Sequence, residues 1–291
     1  TGSGTLTATT SYTFNNDSGH TASVSAILAG SGVTLTQSGA GTTTLSGVNT
    51  YTGTTTISAG TLKLANTSGT TLPTTAAISM TGSSGSAATL DLAGYSQTIA
   101  SLNSTVATYN TVTNSGASDV VLTIGGASPG SFAGIIQDGA HKVGLTLNSS
   151  SSTGTLTLSG ANTYSGATTL TKGVLLVAVD TVGSVGSITS SAIGTGSLVL
   201  NGGTISSNGA SSRTLDNTLS FTGDVTVGYS TYTGQLTFAA AGDLGSATRT
   251  ITVNTNTTAE FDGILSSSTG ATGITKAGAG TLILTGVNTY T

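Results

Sequence analysis

Of 291 residues, 43 are Gly and only two are Pro, and Thr, Gly and Ser together supply about half of the chain, far above their usual share. Charged residues make up 5%, the net charge is −4, and there is no Cys, which excludes disulfides, thiolate zinc sites and a cysteine nucleophile. The six cations (Lys63, Lys142, Lys172, Lys276, Arg213 and Arg249) are scattered and form no basic stripe, so nucleic-acid binding is set aside.

A Ser/Thr/Gly-rich chain can be a disordered linker, but 36% apolar residues and a small net charge favour a buried core. Helix is disfavoured, because Thr and Val lose χ1 freedom in it and Gly costs roughly 1 kcal/mol there relative to Ala. Thr suits the wet face of a strand, where its β-branch fits the pleat and its hydroxyl meets solvent. The predicted class is all-β.

Along the chain, Thr1 to Thr10 lack the basic end and apolar stretch of a signal peptide. No apolar run reaches about 18 residues, so no transmembrane segment is expected. The first apolar cluster, Val24 to Leu28, precedes GAGTTTLSGVNTYTG at Gly39 to Gly53 and the strand-like TTTISAGTLKL at Thr54 to Leu64. TLDLAG follows at Thr89 to Gly94, then a second cluster at Phe132 to Ile136. The motif returns as GTLTLSGANTYSG at Gly154 to Gly166, with ATTLTKGVLLV at Ala167 to Val177 and SLVLNG at Ser197 to Gly202. A third cluster, Phe261 to Leu265, leads to GAGTLILTGVNTYT at Gly278 to Thr291.

The motif asparagines Asn49, Asn162 and Asn288 lie 113 and then 126 residues apart. The chain is therefore about two and a half copies of a unit somewhat over 110 residues long, with motif copies at 39–64, 154–177 and 278–291. Because the third copy is cut short, the segment is expected to be part of something longer.

Inside a unit the apolar period is two: Leu156 and Leu158 face one side of a strand and Thr155 and Thr157 the other. Leu45, Leu282 and Leu284 hold equivalent places, and these five leucines are the expected core ladder. The turn that follows carries Gly47, Asn49, Tyr51 and Gly53 in the first copy, Gly160, Asn162, Tyr164 and Gly166 in the second, and Gly286, Asn288 and Tyr290 in the third. Glycine is read there as supplying positive φ, and Asn as left-handed backbone or a side-chain-to-backbone turn. Three strands, Thr155 to Leu158, Ala167 to Thr171 and Val174 to Val179, match one coil of a parallel β-helix. At about 22 residues per coil the whole chain, 1–291, is expected to be one continuous solenoid of roughly 13 coils, roughly 60 Å long at a strand spacing of about 4.8 Å. No separate catalytic or membrane domain is expected. The competing architecture is an array of β-sandwich domains, disfavoured because those usually carry large aromatic core residues and this chain has no Trp and five Phe.

At these residues the sequence resembles a known family. GTLTLSGANTYSGATTLTKGVLLV is similar to the autotransporter-associated β-strand repeat of bacterial autotransporter passengers and related giant surface proteins. The recognisable part covers the three motif copies, and looser similarity extends over most of the chain, including TLDLAGYSQTIASLNS. The resemblance implies a right-handed parallel β-helix at the cell surface. It also implies a passenger-type segment, anchored by a region outside it, since the family's membrane barrel and aromatic girdles are not found here.

A catalytic site needs titratable groups held together. The supply is His20, His141, nine Asp and one Glu, and only Glu260 and Asp262 form an i, i+2 pair able to share one strand face. Neither a calcium-loop pattern nor a phosphate loop occurs, so no catalysis, metal or cofactor is expected. Asn-x-Ser/Thr sequons at Asn16, Asn66, Asn103, Asn148 and Asn256 are expected by chance at this composition. Tyr51, Tyr164 and Tyr290 are expected to cover a corner, with a sugar-binding aromatic row as the sharper alternative. The leading functional reading is a non-enzymatic extracellular structural or adhesive rod. The alternatives are a self-assembling fibre or sheath subunit and a polysaccharide-degrading β-helix enzyme. Expected partners are other copies of the chain or host and cell-surface glycans.

Overall fold

The computed structural model describes residues 4–66, 70–229, 231–268 and 272–290, and among these there is no helix. The chain divides into two compact units, Thr1–Leu145 and Thr146–Thr291. Each is a parallel β-solenoid.

In the first unit the longest ladder stacks Thr21–Val24, Thr42–Leu45, Gly60–Leu64, Ala88–Asp91, Asn110–Thr113 and Ile135–Ile136, each strand parallel to its neighbours. A second ladder stacks Ser11–Phe14, Thr34–Gln37, Thr55–Ile57, Ala77–Met80 and Ser101–Asn103. Gln97–Ile99 pairs with Val120–Ile124 in a third direction. Burial alternates along the strands, and the register turns that alternation into rows. Thr43, Leu62, Leu90, Val112 and Ile136 line the interior, while Thr42, Thr61, Thr89 and Thr111 stack outside. Thr43 is fully buried in the inner row and places its hydroxyl on Asn16 Oδ1 at 3.1 Å.

In the second unit one ladder stacks Thr155–Leu158, Val174–Val177, Thr204–Ser207, Val225–Val227, Arg249–Val253 and Ile274–Ala277. A second runs through Thr168–Lys172, Leu198–Leu200, Leu219–Phe221, Gly242–Asp243 and Leu265–Ser266. A third runs through Arg213–Leu215, Leu236–Phe238, Thr258–Phe261 and Thr281–Leu284. Register puts Phe238 over Phe261, and their rings stack at 4.6 Å and 16°. Phe221 leans on the same ring at 6.1 Å. Such pairs are worth about 0.5–1.5 kcal/mol beyond the area they bury.

Parallel pairing throughout the ladders rules out the sandwich array. With six strands in the longest ladder of each unit, the coils number about twelve, close to the roughly thirteen expected. Uneven coil length explains the shortfall. Thr155 pairs with Val174, a short step, whereas Thr168 reaches its partner only at Leu198, a step longer by half again. The first of these pairs also corrects the reading of Thr155 to Val179 as one coil, because Val174–Val177 lies directly on Thr155–Leu158 and opens the next coil. One antiparallel hairpin departs from the pattern, Val182–Ser184 with Ser187–Ser190.

Because Phe261 is 1% exposed and touched on two sides by aromatic rings, Phe261→Ala is expected to cost about 3–5 kcal/mol, read as a lower denaturant midpoint. Val287→Ala, at a side chain 82% exposed, is expected to stay within about 0.5 kcal/mol. Equal shifts in the two variants would contradict this placement of the core.

Candidate functional site

The motif that repeats is turned inward. Asn49 sits just past Thr42–Leu45 and is 3% exposed. Its Oδ1 accepts from Leu28 N at 2.8 Å, 21 residues back, and its Nδ2 donates to Thr71 O at 2.9 Å, 22 residues on. Thr50 N donates to Leu28 O at 2.8 Å, so Leu28 is held at both its backbone groups by an Asn-Thr pair. Asn288 and Thr289 hold Leu265 in the same way, through Leu265 N to Asn288 Oδ1 at 2.8 Å and Thr289 N to Leu265 O at 3.0 Å. Asn162 is fully buried and donates from Nδ2 to Ala192 O at 2.6 Å. The side chain thus replaces a missing rung where the chain turns and the strand ladder stops.

This corrects two readings of the turn. Left-handed backbone among non-glycine residues occurs at Ala93 and Asn256, not at the motif asparagines. Gly47, Gly53 and Gly286 also lack positive φ. A Cβ there would lie 2.4 Å from Ala26 O, 2.4 Å from Val33 O and 2.5 Å from Gly263 O, so glycine is needed for close stacking on the coil below. Gly160 is buried, and Gly166 carries the carbonyl that a Cβ on Gly196 would strike at 2.2 Å.

Tyr51 and Tyr164 are both fully buried, which removes them as a sugar-binding row and places them inside the corner instead of over it. Each phenol reaches the hydroxyl four residues on, Tyr51 to Thr55 at 2.6 Å and Tyr164 to Thr168 at 2.5 Å. Thr168 Oγ1 donates to Ile193 O, so Tyr164 acts as the donor in its pair. Burial pushes both phenols well above their ordinary value, and the threonine contacts act in the opposite direction. Tyr290 is half-buried, and Thr291 lies outside the described residues. Leu45, Leu156 and Leu158 are fully buried, while Leu282 and Leu284 are half-buried.

Other buried amides do the same work and went unnoticed in the sequence. Gln97 Oε1 accepts from Thr71 N and Leu72 N, and its Nε2 donates to Leu72 O. Asn114 Oδ1 accepts from Gly94 N and Gly116 N, and its Nδ2 donates to Ser118 O. Asn217 Nδ2 donates to Gly194 O and Gly196 O. The signal available was position: each lies at or just beyond a strand end, and each meets at least one group about a coil away.

The titratable groups do not converge. His141 Nδ1 faces Asp119 Oδ1 at 3.5 Å, with both side chains exposed, and His20 is exposed in a turn. Glu260 and Asp262 each have a partner of their own: Asp262, just beyond the strand Thr258–Phe261, accepts from Thr285 Oγ1, whereas Glu260 takes Gln235 Nε2. Asp243 is held below the usual carboxylate range by Gly245 N–H first and by the Ser268 hydroxyl. No cluster of three or more His, Asp or Glu suited to a metal occurs among the described residues. Of the sequons, Asn66 is buried, and Asn16 and Asn103 spend their amide nitrogens on backbone carbonyls.

Three stretches, residues 35–64, 151–177 and 274–291, match the passenger-associated-transport-repeat family. The chain is also similar to the "Adhesin BmaC autotransporter" of Brucella suis biovar 1 (strain 1330), with 33% identity over 301 aligned residues. That alignment spans 100% of this chain but 7% of the relative's length. No solved structure matches.

Asn49→Ala leaves Leu28 N–H unpaired in the interior, while Thr71 C=O keeps the bond from the residue-49 backbone N–H, and is expected to cost about 1–3 kcal/mol by chemical denaturation, against about 0.5 kcal/mol or less for the exposed Asn148→Ala. The neutral phenols of Tyr51 and Tyr164 favour the folded state, whose affinity for these protons exceeds that of the unfolded chain. Their contribution is complete below the unfolded phenol value of about 10 and is lost as pH rises toward the folded value. Ultraviolet titration should show two phenols that ionise only on alkaline unfolding, and the double Tyr51→Phe, Tyr164→Phe variant should lack that step.

Proposed function

We propose that the chain, with its three stretches that match the passenger-associated-transport-repeat family, is a repeat segment of the autotransporter passenger type and serves as a non-enzymatic, surface-exposed adhesive spacer. The observation that carries this reading is the inward direction of the motif. Its Asn and buried Tyr side chains are spent on the stack itself, so the repeat builds the solenoid and leaves the outer rows to meet the surroundings. Those rows are rich in Thr and Ser, as in Thr13, Thr36, Thr56 and Ser79 on one ladder of the first unit and Thr204, Thr226 and Thr252 on one ladder of the second.

A row of hydroxyls at strand spacing offers many equal, weak hydrogen-bonding positions, and attachment through them grows with the number engaged at once. Eight of the ten acids make hydrogen bonds or ion pairs within the protein, which fits a scaffold better than a centre of acid–base chemistry. The name of the Brucella relative supports adhesion and export to the surface, and anchorage through a region outside these residues accords with a passenger-type segment.

Beads coated with the purified chain are expected to attach to host-cell surfaces more strongly than albumin-coated beads, with attachment rising steeply with coating density. Absence of attachment at every density would defeat the adhesive reading. Turnover in a glycan-hydrolysis screen would defeat the non-enzymatic one, and regular fibres in negative-stain images would favour an assembly subunit.

A further inference from the structure

The hairpin Val182–Ser184 with Ser187–Ser190 is inserted in the long coil between Thr168 and its partner Leu198, whereas the next step of the same ladder, from Leu198 to Leu219, is short and has no insertion. The hairpin is exposed, with Val182 in its first strand at 57% and Val185 in its turn at 50%. Its inner side, at Ser187 and Ile188, closes over a cleft of about 260 Å3 whose other wall carries Thr195, Ser197, Asp216 and Thr218. That volume lies just under the roughly 300–1,000 Å3 of sites for drug-sized ligands, so the cleft suits one small unit.

Asp216 is the unusual group in this cleft. Its backbone N–H is taken by Thr181 Oγ1, yet its carboxylate accepts no hydrogen bond from any described residue. Eight other acids are engaged, and Asp17 is exposed in a turn. A half-buried carboxylate that no protein donor engages keeps its accepting lone pairs open toward the cleft. Burial alone pushes its pKa up. The wall around it is firm: the adjacent Asn217 amide pins Gly194 O and Gly196 O, and a Cβ on Gly196 would strike Gly166 O.

We propose that this cleft binds a single neutral sugar unit, the Asp216 carboxylate accepting two adjacent ring hydroxyls. Hydroxyls of Ser187, Ser197 and Thr218 line the cleft to exchange hydrogen bonds with the remaining polar positions, Thr195 Oγ1, which donates to Tyr164 O, can accept one more, and Ile188 offers an apolar edge to the carbon face of the ring. No Lys or Arg lines the cleft, so a sialylated, sulfated or phosphorylated ligand would meet uncompensated repulsion from Asp216. The biological use of this site, though not its chemistry, rests on the adhesive reading above.

The test is a glycan array carrying neutral, sialylated, sulfated and amine-bearing glycans, probed with the whole chain and with Asp216→Asn and Asp17→Asn. Wild type and Asp17→Asn are expected to bind neutral hexose-terminated glycans alike, and Asp216→Asn to bind them at least about tenfold more weakly with an unchanged melting temperature. A second variant, Ile188→Ser, is expected to weaken the same glycans. No binding to neutral glycans, equal binding by Asp216→Asn, or preference for anionic or amine-bearing glycans would overturn the proposal. Cell attachment that persists without any sugar binding would overturn the cleft while leaving the adhesive reading standing. Sugar binding lost in Asp216→Asn with attachment absent throughout would support the cleft and defeat the adhesive reading.

Discussion

The rest of the structure depends on the hydrogen bond between one coil and the next. A short strand folded back after a few residues has its N–H and C=O groups pointing along the stack, so it gains nothing from its own coil and everything from its neighbours. Along the straight runs the ladder meets this need unaided. At the corners the backbone changes direction, and groups there would be buried without partners at a cost of about 1–3 kcal/mol each. Buried amides resolve the problem because Asn and Gln carry a donor and an acceptor on one planar group, the same pair that a peptide offers. Asn49 spans from Leu28 to Thr71 in this way, and Gln97 and Asn114 do so elsewhere in the first unit.

That constraint accounts for the composition. Glycine is required where coils approach so closely that a Cβ would meet the carbonyl beneath, as at Gly47 and Gly286. Threonine suits outward rows because β-branching favours the extended strand while the hydroxyl keeps the face wet. Charge is scarce because stacking in register sets like residues above one another, where repeated charges would repel. The charge present is used across rungs, as where Lys63 and Asp91 face each other in register with 3.6 Å between Nζ and Oδ2. Lys63 is 38% exposed, so this pair adds little to stability.

Much of the fold was legible before any coordinates. The alternation in Thr155–Leu158 and Thr42–Leu45 identified strands and told inner from outer residues, because side chains alternate with period two whatever lies beside them. The shared Asn-Thr-Tyr position was equally visible. Its chemistry was not, because an Asn before a turn reads locally as a turn residue, whereas Asn49 acts on groups 21 and 22 residues away. For Tyr51 and Tyr164 the same gap separated an expected surface ring from a buried one whose hydroxyl ends on a threonine of the following strand. Asp216 was one of several dispersed acids until an inserted hairpin formed a wall beside it.

The sequence by itself therefore determined the class, the inner and outer faces and the places where the chain turns, since each depends on residues within a few positions of one another. Only the tertiary structure decided which strand lies on which. Thr155 finds its partner a short way on at Val174, while Thr168 finds its own only at Leu198, and period-two alternation is blind to that difference. Every property that arises between coils waited on this register: the clamping asparagines, the stacked phenylalanines and the cleft at Asp216.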